Sequence, residues 1–183
     1  ESVQGGEKWG RYSIIGLPCR TILTVRNKKI TIETDGSVQD EFVTDDPFAF
    51  LAEFKSRFKV AEITDEQRFS GGLVGYFSYD TVRFVETKLG PADNKDEIDT
   101  PDILLMLSEE LVVFDNLRGT ISFIINVDPN EVGSFGEVQL RLDGLQNALK
   151  TPVALPLINS DESLSAHKFK HHFPKSEFEA AVE

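Results

Sequence analysis

The stretch RTILTVRNKKITIET, residues 20–34, decides the fold class. Its apolar residues alternate along two short runs, and the polar segment Arg26-Asn27-Lys28-Lys29 separates them. Alternation with a period of two is typical of a β-strand, and a short polar segment between two such runs predicts a β-hairpin. We therefore expect two antiparallel strands here, followed by another turn at Asp35-Gly36.

Other segments repeat this pattern. Residues 111–114 and 120–127 predict a second hairpin around 116–119, and residues 11–15, 71–79 and 103–106 predict further strands. Strands grouped in hairpins favour antiparallel sheets over alternating β-α-β units. The predicted fold is α+β, with mainly antiparallel, sandwich-like sheets and helices packed outside them.

Two main helices are predicted by their start signals. Asp46-Pro47 and Asp128-Pro129 each combine an N-cap residue with proline at the first helical position. Apolar residues then follow at helical spacings of three and four. They are Phe50, Leu51, Phe54 and Phe58 in the first helix, and Phe135, Val138, Leu142, Leu145 and Leu149 in the second.

A third helix is predicted at the C-terminal end, where Ser176 and Glu179 fit a capping box. Only seven residues follow as helix, and a two-turn helix is marginal in water. We expect it to continue in a part of the protein not present here; a frayed tail is the alternative. The preceding residues 151–175 read as a linker or an extended crossover.

The charge balance excludes several kinds of partner. Asp and Glu number 31 against 19 Lys and Arg, for a formal charge of -12. Such a chain repels phosphate backbones and anionic lipid surfaces, so we expect no nucleic-acid and no membrane partner. A single cysteine excludes a disulfide framework within the chain and favours a reducing, cytoplasmic location.

Four groups of residues are candidates for chemical sites, and none specifies a reaction. The histidines have too few further ligands for a metal site, and the glycines lack a phosphate-binding motif, so close strand packing explains them better. The aspartates lack the pattern of a calcium loop, and the cysteine reads as a buried, inert thiol. These groups are His167, His171 and His172; Gly71, Gly72 and Gly75; Asp93, Asp96, Asp99 and Asp102; and Cys19.

Several longer motifs carry a resemblance to a known family. The opening ESVQGGEKWGRYSIIG has a Glu-Ser pair, a Gly-Gly pair and Arg-Tyr-Ser in order. DPFAFLAEFKSRF, FSGGLVGYFSYDTVRFVE and the terminal FPKSEFEAAVE follow in the expected sequence. Together they resemble the N-terminal region of the anthranilate synthase component I family, over essentially the whole chain. The pair of leucines that usually precedes Glu-Ser is absent, because the sequence begins at Glu1.

The resemblance implies an enzyme, a lyase of tryptophan biosynthesis. The family makes anthranilate and pyruvate from chorismate, with Mg²⁺ and with ammonia from a glutamine amidotransferase partner, component II. Its catalytic and magnesium-binding residues lie in a C-terminal chorismate-binding domain, so no catalytic and no metal residue is assigned in this chain. We expect residues 1–160 to be the N-terminal regulatory domain and 161–183 to be a linker with the first turns of the catalytic domain. The fragment alone is expected to be inactive.

The resemblance also implies a feedback site for L-tryptophan in this region. Glu1 and Ser2 match the family's Glu-Ser element. An ammonium group needs an acceptor such as Glu1, and a carboxylate needs a hydroxyl or cation such as Ser2 or Arg11. The competing interpretation is that Ser2 caps a turn and Arg11 pairs with a surface carboxylate.

Two alternative functions remain open at this point. Aminodeoxychorismate synthase has a similar N-terminal domain, although the Gly-Gly and Arg-Tyr-Ser elements favour anthranilate synthase. A free-standing, non-catalytic amino-acid-binding domain is the alternative of another class.

Overall fold

A computed structural model describes residues 10–60, 69–90, 98–130, 135–153 and 173–182. Within them the strands are Tyr12–Gly16 (β1), Thr21–Arg26 (β2), Lys29–Thr34 (β3), Ser37–Val43 (β4), Gly72–Phe77 (β5), Ile103–Ser108 (β6), Glu110–Asp115 (β7) and Thr120–Ile125 (β8). The α-helices are Pro47–Ser56 (α1), Val82–Val85 (α2), Phe135–Lys150 (α3) and Lys175–Val182 (α4). Short 3-10 turns occur at Tyr79–Thr81 and Thr87–Leu89.

The strands form two sheets, and every strand pair in them is antiparallel. One sheet has five strands in the order β4-β3-β2-β6-β5, and the other has three in the order β1-β7-β8. Glu109 alone separates β6 from β7, so one segment of chain runs from the larger sheet into the smaller. The α+β class with antiparallel sheets is confirmed.

Both predicted hairpins are present. In the first, Leu23 lies opposite Ile32 and Val25 opposite Ile30, and Asn27 takes a positive φ of 55° in the turn. In the second, Asp115 lies opposite Thr120. The alternating pattern of the sequence therefore identified the strands and their pairing.

The main core lies between the five-stranded sheet and α1. The helix begins as predicted, with an Asp46 carboxylate oxygen accepting the Ala49 N–H at 2.9 Å and Pro47 at the first turn. Leu51 and Phe54 are buried against the sheet. The helix ends at Ser56, so the expectation that it runs to Phe58 is wrong.

Strand β4 was not predicted from the sequence. All seven of its residues are exposed, because it lies at the edge of the sheet. An edge strand exposed on both faces has no need to alternate apolar and polar residues. The pattern that identified the other strands is therefore absent from SVQDEFV.

The predicted starts of the two later helices are wrong. Pro129 and Asn130 form a turn in which the Asp128 carboxylate accepts the Asn130 N–H at 2.8 Å, and the helix is described only from Phe135. The last helix begins at Lys175, so Ser176 lies inside it and is not the N-cap. The Pro174 carbonyl accepts the N–H groups of Glu177 and Phe178 there instead.

The chain divides into two compact units, Glu1–Ala148 and Leu149–Glu183. The predicted boundary between residues 160 and 161 stays a prediction. None of the described helices is long and apolar enough to cross a membrane.

Candidate functional site

The segment that enters β1 is fixed by an ion pair with the opposite strand. Tyr12 lies opposite Asp115 in the β1–β7 register, which places the preceding Arg11 beside that carboxylate. Arg11 Nη2 is 3.0 Å from Asp115 Oδ2, and its Nε lies 3.3 Å from both carboxylate oxygens. The guanidinium also lies 4.8 Å from the centre of the Tyr12 ring. This forked geometry is the strong form of an Arg–carboxylate pair.

Asp115 is the buried member of the pair, with 8% of the residue exposed. Besides Arg11, its Oδ1 accepts the backbone N–H groups of Leu117 and Arg118, both at 3.1 Å. The hydrogen bond from Arg11 is the largest cause that lowers the pKa of Asp115, and these N–H groups lower it further. The carboxylate is thus ionised at neutral pH and joins β1 to the β7–β8 turn.

Asn116 fastens the same segment from the other side. Its Nδ2 donates to the Gly10 carbonyl at 3.0 Å and to Ser13 Oγ at 3.3 Å, and its backbone N–H donates to the Arg11 carbonyl at 2.8 Å. Sequence reasoning predicts only a turn at residues 116–119. Nothing in one sequence joins Asn116 to residues more than 100 positions away.

The three residues predicted to bind tryptophan are not all described. Glu1 and Ser2 lie outside the described residues, and Arg11 alone falls within them. Arg11 does pair with a carboxylate of the protein, as the competing interpretation holds, but the partner Asp115 is buried and is not the surface carboxylate that was expected. A direct role for Arg11 toward a ligand stays a prediction, while its anchoring of β1 is observed.

Gly71 and Gly75 serve close packing, as expected, whereas the expectation is wrong for Gly72, where an added Cβ would meet nothing within 4 Å and a φ of +130° favours glycine instead. A Cβ at Gly75 would overlap the Leu104 carbonyl oxygen of the neighbouring strand. Gly71 has a φ of +136°, and a Cβ there would lie 2.7 Å from the Ser108 carbonyl oxygen. Asn126 Nδ2 donates nearby to the carbonyls of Ser70 and Glu109.

Cys19 is half-buried, and its thiol lies 3.5 Å from the Leu17 carbonyl, to which it donates. Burial raises the pKa of this thiol, and the charge of Glu109 raises it further. The thiol is therefore protonated at neutral pH, which makes it a poor nucleophile. Cys19 is thus half-buried and not buried as expected, and its lack of reactivity stays a prediction.

The segment that carries Asp99 and Asp102, just before β6, contacts the β2–β3 hairpin. Asp99 pairs with Arg26 at 2.8 Å, and Asp102 Oδ2 accepts the Asn27 N–H. Asp93, Asp96 and the histidines His167, His171 and His172 lie outside the described residues. Among the residues that are described, no group of three or more His, Cys, Asp or Glu is arranged to hold a metal ion.

Comparison with known proteins identifies several that are similar to this chain in sequence. No family model matches it. It is 47% identical over 184 aligned positions to anthranilate synthase component 1 of Pseudomonas putida, covering 100% of this chain and 37% of that protein. The protein of the same name from Neisseria gonorrhoeae is 40% identical over 173 positions, covering 92% of this chain and 35% of the relative.

A solved structure has the same fold. The crystal structure of anthranilate synthase component I from Streptococcus pneumoniae superimposes with a TM-score of 0.61 at 24% identity, covering 83% of this chain and 32% of that one. The chain thus spans just over a third of the length of the curated relatives named above. By sequence, it is homologous along its whole length to a part of anthranilate synthase component 1.

Proposed function

We propose that this chain is the N-terminal, tryptophan-binding part of an anthranilate synthase component I. The observation that carries the proposal is the 47% identity along the entire chain to a protein of that name. The Glu-Ser, Gly-Gly and Arg-Tyr-Ser elements of the opening segment support the same assignment. The relatives reported above favour it over an aminodeoxychorismate synthase or a free-standing binding domain.

The complete protein would convert chorismate to anthranilate and pyruvate in the cytoplasm. Ammonia would come from a glutamine amidotransferase subunit, component II. The resemblance implies that the family's catalytic and magnesium-binding residues lie in a C-terminal chorismate-binding domain, so we assign the magnesium, the chorismate and the chemical steps to the part of the protein beyond the matched third. The net charge of -12 supports this division, because it repels the chorismate dianion.

The role of the present chain would be to bind the end product of the pathway. Glu1 would accept the ammonium group of tryptophan, and the Ser2 hydroxyl would donate to its carboxylate. Further along the chain from Glu1 and Ser2, the backbone at the start of β1 is fixed by the Arg11–Asp115 pair and by the hydrogen bond from Asn116 to the Gly10 carbonyl. We therefore assign Arg11 mainly to positioning, since its Nε and Nη2 already donate to Asp115.

The test is a tryptophan titration of the complete protein, with its amidotransferase, carrying Ser2→Phe. The change removes a hydrogen bond to a charged group and fills the space beside it. The loss of that bond, about 1.5–3 kcal/mol, would raise the tryptophan concentration for half-inhibition by roughly tenfold to a hundredfold. The uninhibited rate of the same variant is the reference for each titration.

Ser37→Phe is the matched control, because Ser37 is exposed at the start of β4, the edge strand of the five-stranded sheet. It should titrate like the wild type. Inhibition unchanged in Ser2→Phe would remove Ser2 from the site. A product other than anthranilate, measured by its fluorescence and mass, would instead contradict the enzyme assignment and leave the binding site to be judged separately.

A further inference from the structure

The side chain of Asn116 continues the pairing of β1 with β7 beyond the last backbone hydrogen bond. That bond runs from the Asn116 N–H to the Arg11 carbonyl at 2.8 Å. The next backbone donor, the Leu117 N–H, is used within the turn, where it donates to Asp115 Oδ1 at 3.1 Å. Asn116 Nδ2 takes its place and donates to the Gly10 carbonyl at 3.0 Å. The side chain therefore fixes backbone that the strand pairing itself does not reach.

Hydrogen bonds matter at this end of β1 because the strand buries little apolar surface. It is an outer strand in the order β1-β7-β8, and Ile14 and Ile15 are 37% and 50% exposed. Asn116 Nδ2 also lies 3.3 Å from Ser13 Oγ. A primary amide has two N–H groups, so this one side chain can bind both Gly10 and Ser13. Its loss would release the beginning of β1 without removing an apolar side chain from the core.

We propose that Asn116 is a positioning residue that sets the sensitivity of the complete protein to tryptophan. The inference rests on the proposed function, in which Glu1 and Ser2 bind the amino acid. A binding segment that is already held in place loses less conformational freedom when its ligand binds, so it binds the ligand more tightly. Asn116 holds this segment at Gly10, eight residues after Ser2. It acts through the backbone and needs no contact with tryptophan.

Asn116 is better suited to a test than its neighbour Asp115. The Asp115 carboxylate binds Arg11 and also orders the β7–β8 turn through two backbone N–H groups, so its loss would disturb several contacts at once. Asn116 is exposed, and a change of its side chain keeps the backbone bond to the Arg11 carbonyl. Asn116→Ala removes the amide. Asn116→Asp keeps the shape of the side chain but lacks the N–H donors.

The test is a tryptophan titration of the complete protein, with its amidotransferase, carrying either change. The concentration for half-inhibition and the dissociation constant from calorimetry should both rise by about threefold to tenfold, the effect of losing one or two neutral hydrogen bonds. Asn130→Ala is the matched control, because Asn130 is also exposed and its Nδ2 donates to Asp128 Oδ1 at 2.9 Å in the turn after β8. It should titrate like the wild type.

A purely structural role for Asn116 predicts a different result. The unfolding temperature would then fall while tryptophan binding stayed the same, and this outcome would overturn the inference. If Ser2→Phe weakens inhibition and both Asn116 variants titrate like the wild type, the inference alone fails. A wild-type protein that tryptophan does not inhibit would overturn the proposed function together with this inference.

Discussion

The two sheets of this protein are held in different ways. The five-stranded sheet has a core in which Val25, Ile30 and Ile103 are fully buried beneath α1. The three-stranded sheet also buries Leu111 and Val113 on β7, but its outer strand β1 keeps Ile14 and Ile15 exposed. Polar contacts fix β1 instead, through Arg11, Asp115 and Asn116. Apolar burial thus stabilises one sheet, while a hydrogen-bonded ion pair positions the edge of the other.

The largest expected effect is in the five-stranded sheet, at Gly75. Gly75→Val, made in the complete protein, would force a side chain into the Leu104 carbonyl and separate β5 from β6. We expect a loss of more than about 4 kcal/mol in the free energy of unfolding, measured by denaturant titration. Gly144→Ala is the control, because a Cβ added at this position in α3 would meet nothing within 4 Å. It should raise stability by about 0.5–1 kcal/mol; equal losses in the two variants would contradict the packing argument.

The second largest effect is expected from shortening a buried side chain, which should lower the free energy of unfolding more in the five-stranded sheet than in the three-stranded sheet. Ile103 is 0% exposed under α1, whereas Ile121 of β8 is 44% exposed. Ile103→Ala should lower the free energy of unfolding by about 3 kcal/mol, since it removes buried methylene groups and leaves a cavity. Ile121→Ala should cost less than about 1 kcal/mol. The comparison fails if the two variants unfold at the same denaturant concentration.

The smallest of these effects concerns the ion pair that fixes β1. Asp115→Asn removes the charge from a buried carboxylate that accepts hydrogen bonds from Arg11 and from two backbone N–H groups, so the unfolding temperature should fall. Asp35→Asn removes the partner of Arg20 from an exposed pair with a similar distance, 2.7 Å, and should change little. Differential scanning fluorimetry of both variants measures this contrast.

The same pair gives a pH dependence with a definite sign. The folded-state pKa of Asp115 is lowered by Arg11, so its contribution to stability is complete above the unfolded pKa of about 3.9 and is lost as the pH falls through the folded pKa. Thermal melts below about pH 4 should therefore show a shallower acid loss in Asp115→Asn than in the wild type. Other carboxylates with lowered pKa, such as Asp35 and Glu53, will preserve part of the slope. An identical slope would show that Asp115 is not coupled to folding.

Local patterns predicted local structure well and distant contacts not at all. The β2–β3 hairpin and the start of α1 at Asp46-Pro47 follow from neighbouring residues, and both are confirmed. Asp128-Pro129 carries the same dipeptide signal as Asp46-Pro47, yet it forms a turn, because the aspartate bonds to Asn130 two residues later. An Asp-Pro dipeptide is therefore compatible with both a helix start and a turn, and contacts with the surrounding residues determine which of the two forms.

At the candidate site, too, the sequence pattern did not predict which distant residues come into contact. The opening motif identified the segment around Arg11 through family resemblance. Its partner Asp115, 104 residues away, carries no local sign of that role. Asp115 and Asn116 sit in a stretch whose composition predicts only a hairpin turn. Only the register of β1 on β7 brings them to Arg11.

The pairing of β1 with β7 also has a consequence for the order in which the protein is made. Strand β1 leaves the ribosome before its partner, which follows about 100 residues later, as the 104-residue separation of Arg11 and Asp115 shows. At a synthesis rate of about 5–20 residues per second, β1 waits on the order of ten seconds for β7. The hairpins β2–β3 and β7–β8 can close as soon as they emerge, because their loops are short. Strand β1 is therefore among the last strands to be paired, and Arg11 can reach Asp115 only after β7 has been made.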